Sequence, residues 1–451
     1  MIGSGPVLLL AFAFAVMADP VSSVAYAVEA ALRALNGDLT LLVPTMLLVV
    51  AIIAMVIVNY QQIVRRYPSG GGDAAAVGEA FGDGFSFIPI GALIVDFVLT
   101  IAISVSAGSS AIIAYFPALA PWRVGVALVL IVIVAGITWF GHLGRIVFAL
   151  MTLAFVGVAV TVLIYGIWGT PDTLAVIPTT PPGGALLAVA FAFPVAMALA
   201  TGVEAPSSAI AQLGGLDDDK RRMFGRVTLW LTLAIVGSIT IGLSVQAAVL
   251  RIGVPGADST LIAELARHVA PPAVFAAFQL FTTLLLLAAA SSSFQAGPGL
   301  LKAFARDKSG KNPIGILPRS LGATNAAHTP YWGVVLFAVL AMVIVVVAGG
   351  NDQVLVLFYA VAVFMSFLAG MLALSTFSFR EKRGRMFVLN VTGVIIVAFT
   401  LVINLSRGFP LVSFAAALLI AGALYALWVR AGRPSGVRNI EAIAEAELEQ
   451  L

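Results

Sequence analysis

Apolar runs of about 20 residues, the length that carries a helix across the hydrocarbon of a bilayer, follow one another along nearly the whole chain. They fall near residues 6–35, 40–64, 84–113, 121–140, 144–168, 185–213, 225–250, 272–304, 331–349, 353–379, 386–405 and 411–430. Each run predicts one membrane-spanning helix, so the pattern is that of an all-α integral membrane protein of about twelve spans. Pro171, Pro178, Pro181, Pro182, Gly183 and Gly184 punctuate the stretch before the sixth run, and Pro255, Pro271 and Pro272 the stretch before the eighth. Such clusters mark turns, so residues 1–430 read as one polytopic membrane domain. Residues 431–451, with Glu441, Glu445, Glu447 and Glu449, read as a short cytoplasmic tail whose helix is solvated.

Composition removes the soluble alternatives. Hydrophobic residues make up 61% of the 451 and charged ones 10%, where soluble domains hold roughly 45–50% apolar and about 25% charged residues. No cysteine is present, which excludes disulfides and thiolate metal sites. The start of the chain lacks a basic segment and a small-residue cleavage site, so the first run is expected to stay as a helix. The formal net charge of +3 comes from loops, with no basic stripe interleaved with aromatics, which argues against a nucleic-acid partner. Membrane lipid is the expected surround. Basic loops resist translocation. With the N-terminus inside, nineteen Lys and Arg fall on the inner side and five (Arg33, Arg123, Arg251, Arg267 and Arg407) on the outer, so both termini are predicted to be cytoplasmic in the plasma membrane.

Three acidic residues break the apolar pattern. Asp19, Asp96 and Glu204 sit well inside hydrophobic runs, with no Lys or Arg at the same depth. A charge at the bilayer centre costs about 2.5–3.5 kcal/mol on insertion scales, so such groups line a pathway or find a partner. The first run holds Asp19-Pro20-Val21-Ser22-Ser23 and the sixth holds Thr201-Gly202-Val203-Glu204-Ala205-Pro206-Ser207-Ser208. Both join a carboxylate to a proline and a serine pair. Proline removes a backbone donor and strains the preceding turn, and unwound backbone at that depth survives only where it lines a cavity. Runs one and six stand five apart, as two inverted five-helix repeats would place them, and matched interruptions of this kind point to a transport site.

Helical spacing groups the polar atoms further. Asp19 and Tyr26 are seven apart, Asp96 and Thr100 four, Thr201 and Glu204 three, so each pair shares a helix face. Carboxylate, hydroxyl and carbonyl oxygens suit hard cations. His142, His268 and His328 fall in loops or at span ends and read as surface residues.

On these residues the chain resembles the amino acid-polyamine-organocation superfamily, and within it the KUP-type potassium importers of the KimA branch. The likeness covers nearly the whole membrane domain. It rests on Asp19-Pro-Val-Ser-Ser-Val-Ala-Tyr26, on Arg66-Tyr67-Pro68-Ser69-Gly70-Gly71-Gly72 after the second span and on Thr201-Gly202-Val203-Glu204. The stretch from Ser293-Phe294 to Ala305-Arg306-Asp307, followed by Leu317-Pro318, is similar too. The resemblance implies a LeuT-like fold of 5+5 inverted repeats with discontinuous helices one and six, plus two extra C-terminal helices. It implies potassium sites at Asp19, Tyr26, Asp96, Thr100, Thr201 and Glu204, with Tyr359 in the tenth span matching a further family tyrosine. Position 97 is Phe where the family pattern has Tyr. Relatives carry a cytoplasmic C-terminal domain that supports dimerisation. Neither that domain nor its homodimer is assumed for this chain.

The function that follows is secondary active import of a small cation, potassium first, with a proton as the coupled ion, by alternating access. No cofactor beyond those two ions is expected. Glu204 is the first candidate to carry the proton. Transport of an amino acid or amine by a relative of the same superfamily stays open, with Asp19 pairing to a substrate ammonium. Against it, Gly3-Ser4-Gly5 lies too near the N-terminus to be a carboxylate-binding break, and the fifth span has no lysine. Catalysis is not expected. An intramembrane aspartic dyad would share a proton between two carboxyls, but Asp96 lacks a glycine-flanked setting. A passive channel would show a repeated filter motif, and none appears.

Overall fold

The computed structural model describes residues 5–141, 144–171, 184–306 and 314–449. Gly3, Ser4, His142, Pro178, Pro181, Pro182, Gly183, Asp307, Lys308 and Lys311, which enter the sequence reading, lie outside the described residues. The described residues are helical with short connections. The helices are α1 (Gly5–Val16), α2 (Ala18–Ser22), α3 (Val24–Ala34), α4 (Leu39–Arg66), α5 (Gly72–Phe81) and α6 (Phe87–Tyr115). There follow α7 (Arg123–Phe140), α8 (Arg145–Gly166), α9 (Ala185–Ala196), α10 (Ala205–Ala209), α11 (Asp218–Val249) and α12 (Leu261–Val269). The chain continues with α13 (Pro272–Phe304), α14 (Tyr331–Val347), α15 (Asp352–Arg380), α16 (Gly384–Leu405), α17 (Leu411–Arg430) and α18 (Ile440–Glu449).

Ten stretches among the described residues are long and apolar enough to cross a membrane, and two shorter apolar helices, Gly5–Val16 and Tyr331–Val347, occupy the first and ninth span positions. These match the twelve apolar runs. Span ends are set by side chains that satisfy free amides of the first turn, as capping requires. Asp38 accepts from Thr40 N at 2.9 Å at the start of α4, and Asp217 from Lys220 N at 2.8 Å at the start of α11. Asn351 does the same for α15, accepting from Gln353 N at 2.9 Å.

The first and sixth spans are the discontinuous ones. The first is divided into α1, α2 and α3 by single residues, Met17 and Ser23. The sixth runs from α9 through a 3-10 turn, Met197–Ala200, and a non-helical stretch to α10. The third and eighth spans, α6 and α13, pack along each other, and α15 and α17 lie against α6. The two five-helix sets thus meet across their broken and third members. This is a LeuT-like arrangement with α16 and α17 added outside it.

One expectation is corrected. The tail is not a solvated helix. Val437 and Ile440 are fully buried, Ala444 and Glu441 are 6% and 8% exposed, and α18 packs against α13, α5 and α10. Its sequence hides this because isoleucines and alanines alternate with glutamates. The apolar half faces the protein, and two of the glutamates go in with it.

Candidate functional site

Helix six is open because two residues leave helical geometry. Thr201 takes ψ 131° and Gly202 takes φ +69°, a left-handed conformation that costs a side-chain-bearing residue energy and glycine little. Pro206 then restarts a helix in the first turn of α10, where its missing N–H is not needed. Helix one is interrupted differently. Val21 N still donates to Met17 O at 2.9 Å, so Pro20 kinks the helix without unwinding it. Ser22 Oγ donates to Asp19 O at 2.7 Å and Ser23 Oγ to Pro20 O at 2.6 Å. Ser23 Oγ also reaches Leu199 O of the sixth span at 3.1 Å, which ties the two breaks together. In the sixth span Ser207 Oγ repeats the motif, donating to Glu204 O at 2.7 Å. The serines predicted as break residues therefore donate to local backbone carbonyls.

Beside the breaks lies a cavity of about 310 Å³ lined by Asp19, Asp96, Phe97, Gly202, Glu204 and Ser293, among others. Asp19 packs on Gly202. A β-carbon built there would stand 2.8 Å from Asp19 Oδ2 and 2.9 Å from Pro20 Cδ. The absence of a side chain at 202 thus lets the first carboxylate reach the break in the other helix. Asp19 Oδ1, Asp96 Oδ1 and Glu204 Oε2 are buried and have no hydrogen-bond partner. Buried polar atoms in native structures are nearly always paired, so each unpaired one calls for an explanation.

Tyr26, Thr100, Thr201 and Tyr359 are fully buried behind the cavity wall. Tyr26 neighbours Thr201, whose Oγ1 donates to Ala198 O at 2.6 Å. Tyr359 faces Asp96, yet its hydroxyl and that of Thr100 meet no partner of hydrogen-bonding geometry. Ser104, one turn beyond Thr100 on α6, is buried and unpaired in the same way. The i, i+4, i+8 spacing of Asp96, Thr100 and Ser104 is the signal that would have found it. Among the described residues no group of three or more His, Cys, Asp or Glu side chains is close enough to hold a metal ion. The three carboxylates share a cavity without forming a chelate.

Five further carboxylates are buried: Asp38, which caps α4, and Glu29, Asp73, Asp352 and Glu441. Glu29 accepts from Arg33 Nε at 2.8 Å and from Leu261 N, at the start of α12, at 2.9 Å. Asp352 accepts from Ser110 Oγ at 2.7 Å. Asp73 accepts from the hydroxyls of Tyr60 at 2.7 Å and Ser366 at 2.9 Å. Burial pushes its carboxyl up to about 6, and those two hydroxyls hold it from going further.

The sequence profile described as amino acid permease matches residues 8–440. The chain belongs to the amino acid permease family. It is 30% identical over 365 residues to a protein named potassium transporter KimA of Bacillus subtilis (strain 168), covering 77% of this chain. The chain spans 58% of the length of that relative. Crystal structures of a manganese transporter of Eremococcus coleocola superpose with TM-scores of 0.52, for a mutant, and 0.51, for a complex with an aromatic bis-isothiourea compound. They are 16% and 15% identical, and each comparison covers 95% of both chains. As a member of this family the chain is a multi-pass membrane transporter and not an enzyme.

Proposed function

We propose that the protein imports a small cation, potassium first, in symport with a proton, across the plasma membrane with both termini in the cytoplasm. The carrying observation is that unpaired oxygens of Asp19, Asp96 and Glu204 share one cavity at the breaks of helices one and six. Hard oxygen donors suit such an ion, and alternating access needs its site between the two repeats. The similarity to a protein named as a potassium transporter supports the same cargo. The test is flux into liposomes holding the purified protein, with potassium and rubidium set against a panel of amino acids and amines. Rubidium uptake driven by an inward proton gradient and blocked by excess potassium is the expected result. Amino acid uptake indifferent to potassium would replace this reading.

That second reading has its own support. The family description is amino acid permease, and a cavity of about 310 Å³ has room for several waters at roughly 30 Å³ each. An amine whose ammonium sits between Asp19 and Asp96 would fit the same charges.

Phe97 lines the cavity beside Asp96. Phe97→Tyr puts a hydroxyl where the family pattern has one. A hydrogen-bond-sized contact of about 0.5–1.5 kcal/mol would lower the half-saturating rubidium concentration roughly two- to tenfold, since 1.4 kcal/mol is a factor of ten. Uptake kinetics check this, and an unchanged constant would mean that position 97 does not face the ion.

A further inference from the structure

The triglycine corner and the buried tail carry charges and conformations that the binding site does not explain. Gly70, Gly71 and Gly72 all have positive φ, at +90°, +114° and +50°. A β-carbon at Gly70 would lie 2.7 Å from Ala211 Cβ and 2.9 Å from Ser208 O, so this corner seats directly on the inner half of broken helix six. A β-carbon at Gly72 would collide with Glu441 Oε2. Glu441 Oε1 in turn accepts from Ala74 N at 3.4 Å, in the first turn of α5. One turn later Glu445 accepts from Gln212 Nε2 at 2.6 Å, just past α10. Gly78 leaves room for Arg438, whose Cβ a side chain there would approach to 2.8 Å, and Arg438 pairs with Asp83 at 2.9 Å. The segment 437–446 is therefore fitted into a notch made by glycines of α5.

It also borders the site. Glu441, Ala444 and Glu445 line the same cavity as Asp19, Asp96 and Glu204, together with Gln212 and Arg145. We propose that α18 is a gate: seated, it closes the tail-side mouth of the cavity, and the transported solute passes only after Glu441 and Glu445 leave their seats. The seat is built to be left. Burial of a carboxylate is costly unless it is fully paired, and among the described residues Glu441 has a single long hydrogen bond while Glu445 has one amide partner. Burial raises the Glu441 carboxyl well above the ordinary range, and the nearby Asp73 carboxylate raises it further. Burial also raises that of Glu445, against the opposing effects of Gln212 and Arg145. Because Gln212 ends the unwound sixth span and α18 also packs against α10, motion of that half-helix and release of α18 are linked.

This rests on the reading of the cavity as a solute path, and not on the solute being potassium. The chain has no cysteine, so a Gln212→Cys, Glu445→Cys double variant can be joined by a short bifunctional methanethiosulfonate and released with dithiothreitol. Flux in liposomes is measured with rubidium and with an amino acid panel, before joining, after it and after release. A fall of at least about tenfold on joining, reversed by reductant, is expected; equal flux in all three states would overturn the gate. Loss of the potassium reading would show separately, as amino acid flux in place of rubidium flux. A second measurement needs no transport. Ser292→Cys, in the cavity wall, is labelled with a bulky maleimide from the tail side, alone and combined with Gly72→Ala, which displaces Glu441. Labelling is expected to quicken by at least about tenfold in the combined variant, and an unchanged rate would contradict the proposal.

Discussion

Asp96→Asn is expected to lower potassium uptake at least a hundredfold while the protein still inserts, purifies and remains monodisperse. The amide keeps the shape of the carboxyl and removes its charge. Unit charges 4 Å apart at an effective dielectric constant of about 20 attract by about 4 kcal/mol, close to three decades in binding. Insertion loses nothing, because a neutral group at that depth is easier to place than a charged one. Asp19→Asn should behave alike, since Asp19 shares the cavity and also lacks a partner for one oxygen. Growth of an uptake-deficient host at limiting potassium reads the outcome. Full rescue by both variants would remove these residues from the site.

Gly202→Val is expected to abolish transport and to destabilise the protein. The left-handed φ of +69° at 202 costs a non-glycine residue of order 1–3 kcal/mol. The added side chain would also press into the Asp19 carboxylate and Pro20, forcing the two broken spans apart. Gly184→Val separates these effects. Gly184 has φ +86° and nothing within 4 Å of a built β-carbon, so it carries the backbone cost without the contact. Thermal unfolding should fall in both variants, whereas uptake should vanish only in the variant at 202. Equal uptake by the two would mean that the Asp19–Gly202 contact does not matter to transport.

Much of this architecture is legible in the sequence for a simple physical reason. In a bilayer every buried backbone group must be paired within its own helix, so span positions follow from apolar length alone. The same constraint makes Asp19, Asp96 and Glu204 conspicuous, because a carboxylate in an apolar run has no ordinary explanation. What hydropathy does not encode is which polar groups near span ends are folded inward. Asp73, Glu29 and Asp352 lie away from the broken centres of the spans, yet they are buried with hydroxyl and amide partners, which for Glu29 and Asp352 come from elements distant in the chain. The burial of the tail is hidden for the same reason. Nothing local to Glu441 shows that a triglycine corner more than 360 residues earlier, reaching Ala74 N, is shaped to receive it. The difference between a kinked first span and an opened sixth span was also not legible, since Pro and Ser pairs occur in both and only Gly202 marks the one that unwinds.

The most direct test of the central claim is equilibrium binding of radioactive rubidium to the purified protein in detergent, without flux, gradients or cells. Saturable binding to the unsubstituted chain, displaced by potassium, left in place by amino acids and lost in Asp19→Asn and Asp96→Asn, is the predicted result. Binding that survives both substitutions, or none that potassium displaces, would contradict a cation held by these carboxylates.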